Sequence, residues 1–282
     1  MADLSRSAKL GSDWSPYELM AYNISIVPLL PDKFFTIPDP PLDHIDPAIL
    51  DPSVEPLSDD AIRYLRDLHL ASEHSRATFV ASFATRTLML LELDDAYSTL
   101  ALQYHTIPLT ICGDTIPLIT RDNPRPTPQM DVCIINVEPI FVLLVLVVDK
   151  APYAIGSMAH VIAGAIAAFQ FNNEKRKECK LKPLDTMTIP CVTMAKTRPT
   201  FYLVPVTTAL SDAVISGTFP ATPTEVTYCP TIGTHTKYAY VGAEDIEYRK
   251  LLLKRFLAFK ALAKIHWEHI LEGVSSAPSD LP

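Results

Sequence analysis

The chain has 282 residues, of which 48% are hydrophobic, so it has ample material for one large buried core. Its formal net charge of -8 argues against a simple nucleic-acid coat protein, because such proteins are usually basic. The five cysteines are scattered and form no CxxC pair, which argues against a disulfide framework or a structural zinc site.

The N-terminus and the longest apolar run bear on cellular location. Residues 1–10 are polar and lack the apolar segment of a signal peptide, which predicts an intracellular protein, in the cytoplasm or the nucleus. The longest apolar run, residues 140–148, falls far below the about 18 residues that a membrane-spanning helix needs. We therefore expect no membrane segment.

The N-terminal part reads as an extension. "SPYELMAYNI" carries a capping-box pattern with proline at the first helical position, which predicts a short helix. Residues 37–56 carry six prolines, which is typical of an irregular arm over the surface. We assign residues 1–56 to this extension, residues 57–273 to a single α/β domain and residues 274–282 to a disordered tail.

Two helices are predicted to open the domain, one capped by Ser58 and ending near Leu70, the other from about Ser72 to Leu91. Strand-like segments follow from about residue 98: "TLALQYHTIPLTI", "TIPLIT", "PQMDVCIIN" and "IFVLLVLVVDK".

An alanine-rich helix is predicted over residues 157–173, then the strands "MTIPCVTMAK" and "TFYLVPVTT". A short helix, one more strand and a long helix over residues 244–273 complete the chain. We interpret the elements between residues 72 and 195 as an α-β-β-β-α-β core with one additional strand, which predicts one mixed sheet flanked by helices.

The stretch "FVLLVLVVDK" ends this strand region with an aspartate and a lysine. Its unbroken apolar run is typical of a central strand that is buried on both faces. Its hairpin partner begins near Asp131. A tight turn at "NVEP" would set Asp131 opposite about residue 144, so a wider turn or a bulge must carry it towards Val148.

That shift would bring the carboxylate of Asp131 opposite the end of the next strand, Val148 to Lys150. Mg²⁺ takes oxygen ligands from one or two carboxylates and keeps waters for a substrate phosphate. A neighbouring lysine can orient the attacking water and stabilise the charge of the transition state. The sequence thus predicts a magnesium site with Asp131 and Asp149 as ligands and Lys150 beside them.

The element order, Asp131, the strand ending at Lys150 and Gln170 in the next helix together resemble the PD-(D/E)xK nuclease superfamily. More specifically, "MDVCI", "VIAGAIAAFQFNN", "LKPLDTMTIPCVTM" and "FYLVPVTTALSDAV" resemble a large family of uncharacterised proteins from mushroom-forming fungi. The resemblance implies a restriction-endonuclease-like fold and Mg²⁺-dependent phosphodiester hydrolysis. It implies catalytic positions at Asp131, Lys150 and Gln170, with Glu73 as an additional acid; a solvated acid in a helix is the alternative for Glu73.

The sequence departs from that pattern at the metal site. The nuclease pattern has Asp or Glu two residues before the lysine, where this chain has Val148. The fungal relatives are expected to end this strand in "QEDK", where this chain reads "VVDK", and to carry a glutamate at Gly164. Alternation along a strand turns Asp149 away from Lys150 unless a local bulge brings it back. We therefore expect a degenerate site with weak or absent nuclease activity, and the sequence leaves open whether the protein is an enzyme.

Two partner classes remain open. Lys175, Arg176 and Lys177 would contact a phosphate backbone if the partner is nucleic acid. A solvated helix face is the alternative for this cluster and for a second basic cluster on the C-terminal helix. The other hypothesis is a noncatalytic protein-interaction module, with the proline-rich arm and the C-terminal helix as its surfaces. An enzyme of another class would use the same cleft, but no residue set points to one.

Overall fold

The computed structural model describes residues 11–74, 76–93, 108–112, 114–117, 131–137, 139–149, 155–231 and 241–274. Within these residues the chain is a mixed α/β protein. Its main feature is an open six-stranded sheet flanked by helices, and a separate two-stranded sheet accompanies it.

The N-terminal half is mostly helical. After a 3-10 turn at Gly11–Asp13, its elements are α1 (Pro16–Ala21), β1 (Ile24–Pro28), α2 (Pro31–Phe34), α3 (Pro47–Leu50), α4 (Asp59–Glu73) and α5 (Ala77–Leu90).

The remainder carries the other strands and the two longest helices. Its elements are β2 (Pro108–Ile111), β3 (Asp114–Pro117), β4 (Asp131–Val137), β5 (Ile140–Asp149), α6 (Ile155–Glu178), β6 (Thr186–Ala195), β7 (Arg198–Thr207), α7 (Thr208–Ser216), β8 (Thr224–Pro230) and α8 (Ile246–Ile270).

The strand order of the main sheet is β1-β8-β7-β6-β5-β4. β5 and β6 are parallel and are joined through α6, and β8 and β1 are also parallel; the other neighbours are antiparallel. The residues of β5 from Phe141 to Val148 are all buried, so both faces of the sheet are covered there, as the unbroken apolar run predicted. α6 and α8 pack on these central strands.

The prediction of one sheet holds only in part. β2 and β3 pair with each other and form the second sheet, which packs through β2 on α6 and α7. Burial of Leu109 and Ile111 explains this position, because the apolar side of the hairpin is covered by helices rather than by a further strand.

The capping signals at the starts of α1 and α4 were predicted correctly. Ser15 and Glu18 form the expected capping box of α1, in which Glu18 accepts a hydrogen bond of 2.7 Å from the Ser15 backbone N–H. Ser58 caps α4 by accepting a hydrogen bond of 3.1 Å from the Ala61 N–H. The boundary of the next helix was wrong: His74 has an extended backbone and ends α4, so Glu73 closes that helix instead of opening α5.

The proline-rich arm, residues 37–56, is irregular apart from the single turn of α3, and it is fastened to α8. Lys254 forms an ion pair of 2.7 Å with Asp39, and Arg255 donates a hydrogen bond of 2.6 Å to the Pro38 carbonyl. Lys254 and Arg255, which belong to the basic cluster of the C-terminal helix, therefore hold the acidic arm.

Arg249 of α8 is 4% exposed and donates a hydrogen bond of 2.9 Å to the Ile49 carbonyl of the arm. Burial lowers the pKa of its guanidinium.

One hydrophobic core joins the N-terminal extension to the rest. Phe201 of β7 contacts Phe256 and Phe259 of α8 at 5.1 and 4.9 Å between ring centroids. It also contacts Phe35, at 5.7 Å, so a residue between α2 and the arm packs on the central sheet. Trp14 belongs to the same buried cluster. Across the described ranges, no helix is both long and apolar enough to cross a membrane.

Candidate functional site

The register of β4 and β5 decides where Asp131 lies. Ile134 pairs with Leu144, but Ile135 pairs with Val142, so β5 contains one extra residue at the bulge. The required bulge is therefore present. It sets Asp131 opposite Val147, at the carboxyl end of β5 and one position short of Val148.

This register changes which positions share a face of the ladder. Residues opposite each other in an antiparallel pair lie on the same face, and the face alternates along each strand. Positions 131, 147 and 149 therefore share one face, and position 148 belongs to the other. Val148 is 2% exposed and is part of the core. Lys150 lies outside the described residues.

A magnesium ion would find two carboxylate-bearing positions, 131 and 149, on one face at this corner of the sheet, which fits the small number of protein ligands that Mg²⁺ takes. In the parts of the chain that the structure describes, no cluster of three or more potential metal-ligating side chains occurs.

The same end of the sheet carries a polar cluster that the sequence analysis missed. Asp149 pairs with Ala195 at the end of β6, and Lys196 and Thr197 form the turn between β6 and β7. Lys196 has a φ of 55°, in the left-handed region. Its ammonium donates a hydrogen bond of 3.2 Å to the Ser72 carbonyl in the last turn of α4.

Glu73, the next residue of α4, therefore lies at this end of the sheet as well. The structure thus brings the backbone positions of Asp131 and Asp149, the end of α4 and the β6–β7 turn together.

Glu244 is the centre of the polar cluster. Its carboxylate accepts hydrogen bonds from the Ser72 hydroxyl at 3.2 Å, the Thr197 hydroxyl at 3.3 Å and the Gly242 N–H at 3.0 Å. The Ala243 N–H in turn donates to the Thr197 hydroxyl at 3.0 Å. These bonds tie α4, the β6–β7 turn and the segment before α8 together, and they fix an exposed carboxylate in one position.

Gln170 lies elsewhere. It is fifteen residues after Ile155, so it is displaced by about 22 Å along α6 from the helix start that follows β5. Its carboxamide accepts a hydrogen bond of 2.8 Å from the Thr110 N–H and donates one of 3.1 Å to the Thr110 carbonyl. The structure therefore joins Gln170 to β2 and not to the corner at Asp131.

Two neighbouring carboxamides act in the same way. Asn172 is fully buried and bonds both backbone groups of Val142 in β5, at 2.8 and 2.9 Å. Asn173 bonds both backbone groups of Leu184, just before β6, at 2.8 and 3.0 Å. The "QFNN" segment thus fastens three separate parts of the chain to α6.

The basic cluster at the end of α6 is also engaged. Arg176 is 5% exposed and donates to the carbonyls of Ile270 and Glu272 at the end of α8, at 3.1 and 2.9 Å. Lys175 and Lys177 form ion pairs within α6, with Glu178 and Glu174 at 2.6 and 3.4 Å. These three residues lie at the far end of the helix from the corner, about 30 Å along its axis.

A groove of about 550 Å³ lies beside this cluster, between α6 and α7. Its walls include Phe171, Lys175, Ser211 and Asp212. The Lys175 ammonium lies 5.5 Å from the centre of the Phe171 ring. The groove is therefore separate from the corner formed by β4 and β5.

Comparison with protein-family models gives no match for this sequence, and comparison with curated proteins gives none either. The assignment of a function therefore depends on the corner itself.

Proposed function

We propose that this protein is a PD-(D/E)xK nuclease-like protein that acts on or binds nucleic acid and whose degenerate metal site gives weak or no phosphodiester hydrolysis. The observation that carries the proposal is the register of β4 and β5. It sets Asp131 opposite Val147, two residues from Asp149, where β5 leaves the sheet for a crossover helix and a parallel strand.

Asp131 and Asp149 are the residues that would hold Mg²⁺. When bound, the ion would supply charge stabilisation for phosphodiester cleavage. Lys150, which follows Asp149 in the sequence, would stabilise negative charge on the substrate. Glu73 is the further acid at this end of the sheet, whereas both functional groups of Gln170 are engaged by the backbone of Thr110.

The weak activity follows from Val148. The superfamily pattern requires an acid at this position, and Val148 is instead a buried core side chain, 2% exposed. Position 148 also lies on the other face of the ladder from positions 131 and 149, so this corner offers two carboxylates where the pattern expects a further acid, a deficit that typically costs several kcal/mol of catalysis.

A second candidate is a noncatalytic protein-interaction module on the same fold. One observation favours it: the cations that a nucleic-acid partner would need are largely engaged within the chain. Arg176 and Arg249 are buried and donate hydrogen bonds to backbone carbonyls. Lys175 and Lys177 form ion pairs with neighbouring glutamates. The arm on α8 and the exposed side chains of Tyr17 and Met20 on α1 would then be the contact surfaces.

The experiment compares cleavage of single- and double-stranded DNA and RNA, with Mg²⁺ or Mn²⁺, by wild type, Asp131→Ala and Val148→Glu. Binding of Mn²⁺ to each form is measured by calorimetry. We expect the wild type to bind Mn²⁺ but to cleave nucleic acid weakly or not at all, and we expect Asp131→Ala to abolish Mn²⁺ binding.

If the wild type cleaves nucleic acid robustly and Asp131→Ala abolishes that cleavage, the site is active and the proposal of a degenerate site is wrong. Absence of Mn²⁺ binding and of nucleic-acid binding in all three forms would favour the interaction module. Because Val148 is buried, circular dichroism is used to check that the Val148→Glu protein is folded. If Val148→Glu unfolds, Asp149→Ala provides a second test of the ligand pair.

A further inference from the structure

We propose that the phosphodiester backbone of nucleic acid is bound at the sheet end by Lys196 and Arg76, with His74 and Arg198 beside them, and not by the cluster of Lys175 to Lys177. The inference rests on the proposed function, because it names the surface through which the same corner would hold its substrate. We call these four residues the sheet-end surface.

Lys196 is the described cation that the ladder places nearest to the corner. It directly follows Ala195, the partner of Asp149 in the parallel pair of β5 and β6. Its ammonium has three donors, of which one bonds the Ser72 carbonyl. Within the described part of the chain, Lys196 forms no ion pair, so its charge remains available to an anion.

Arg76 extends the surface along the connection from α4 to α5. It follows Ser72 by four residues, so its Cα lies within about 14 Å of that residue even if the chain between them is fully extended. Arg76 and His74 are exposed, and among the described residues Arg76 forms no ion pair. A strand with one phosphate charge per about 3.4 Å of axis can bridge such a distance with a few nucleotides.

Arg198 completes the surface from the other side of the β6–β7 turn. It is half-buried and pairs with Ala195 across the hairpin. Among the described residues, the exposed carboxylates of Glu73 and Glu244 lie at the same end, and Asp131 and Asp149 add two more carboxylate-bearing positions. Because this end carries no excess of positive charge, we expect binding through Lys196 and Arg76 to be weak and to depend strongly on salt.

The competing surface at the end of α6 is less suited to the same role. Arg176 is buried on the end of α8, and Lys175 and Lys177 are each balanced by a glutamate three residues away. It also lies about 30 Å along α6 from the helix start that follows β5. A phosphate bound there would be far from Asp131.

The experiment measures binding of fluorescein-labelled single-stranded DNA, double-stranded DNA and RNA of about 20 nucleotides by anisotropy. EDTA is present so that no cleavage occurs, and the salt concentration is varied. The variants are Lys196→Gln, Arg76→Gln and their double mutant. Lys175→Gln and Lys177→Gln are matched charge controls, and Lys196→Arg tests rescue by a retained charge.

We expect each of Lys196→Gln and Arg76→Gln to weaken binding about threefold to tenfold and to reduce the slope of log Kd against log salt by about one. The two controls and Lys196→Arg should bind as wild type does. If Lys196→Gln and Arg76→Gln both bind with wild-type affinity, or if only the two controls bind more weakly, this proposal is wrong. The nucleic-acid part of the proposed function is then unaffected. Absence of binding by wild type to every probe overturns this proposal and the nucleic-acid part of the proposed function together.

Discussion

The carboxamide of Asn172 completes the hydrogen bonding of Val142 in β5, 30 residues earlier in the chain. β6 pairs with β5 only from Val145 onwards, so the backbone of Val142 has no strand neighbour on that side. The amide of a helix residue takes the place of the missing strand. Nearby, the indole N–H of Trp267 donates a bond of 2.7 Å to the Leu143 carbonyl at the bulge. Side chains from two helices thus satisfy the buried backbone where the ladder is interrupted.

Asn172→Leu should lower the free energy of unfolding by about 2–4 kcal/mol, because it leaves the buried N–H and C=O of Val142 without a partner. Asn173→Leu is the matched control and should cost about 1 kcal/mol, since the half-buried site of Asn173 admits water to the Leu184 backbone. Urea unfolding with an unchanged m value measures both. Equal costs for the two variants would show that burial does not set the difference.

Arg176 allows a similar comparison within the basic cluster. Arg176→Met should destabilise the protein by about 3 kcal/mol, because the guanidinium bonds the carbonyls of Ile270 and Glu272 at the end of α8 and that of Lys182 at 2.8 Å. The Lys177 side chain is 60% exposed and its ion pair with Glu174 is on the surface, so Lys177→Met should change stability by less than about 0.5 kcal/mol. Thermal and urea unfolding of the two variants check this. A harmless Arg176→Met would mean that the end of α8 is held by packing alone.

Much of the fold was predictable from local patterns. The capping signals at Ser15 and Ser58 and the apolar run of β5 act between near neighbours, so the sequence displays them directly. The functions of Gln170 and Asn172 were not predictable, because their partners are 60 and 30 residues away. A polar residue in a helix has the same local appearance whether it faces solvent or a backbone.

Gly242 should be intolerant of substitution. A Cβ at this position would lie 2.2 Å from the Thr197 hydroxyl oxygen and 2.4 Å from a carboxylate oxygen of Glu244. Gly242→Ala should therefore break the hydrogen bonds of Glu244 and cost about 1–3 kcal/mol. Gly156→Ala is the control, because a Cβ there meets nothing within 4 Å and alanine favours a helix. Chemical denaturation should show a loss only for Gly242→Ala; a loss of similar size at Gly156 would contradict the steric explanation.

At the candidate site, the pairing of β4 with β5 was predictable from the sequence, but its register was not. The Asp-Lys ending of β5 and the need for a bulge were visible in the sequence. Where the bulge lies was not, and that location decides whether Asp131 shares a face with Val148 or with Asp149. The Glu244 cluster was missed because its members are far apart in the chain: Glu244 is 172 residues from Ser72 and 47 from Thr197.

Asp46 couples the starts of two helices and should make their stability depend on pH. Its carboxylate accepts a bond of 2.9 Å from the Ala48 N–H at the start of α3 and a hydrogen bond from the Ser58 hydroxyl, which itself caps α4. Both bonds lower the pKa of Asp46, and the bond from Ser58 has the larger effect. The folded state therefore binds the proton less readily than the unfolded state. The stabilisation is fully present above the ordinary aspartate pKa and is lost as the pH falls through the lowered value.

A double-mutant cycle of Asp46→Asn and Ser58→Ala isolates this coupling, since asparagine keeps an acceptor for the Ala48 N–H but removes the charge from the bond with Ser58. The coupling, measured by urea unfolding from about pH 7 to about pH 3, should be constant at the upper end and should shrink once Asp46 becomes protonated. Both caps are local, so near-UV circular dichroism of the folded protein should be the same for every member of the cycle. If the coupling stays constant down to the lowest pH, the charge of the carboxylate does not contribute to the bond between Asp46 and Ser58.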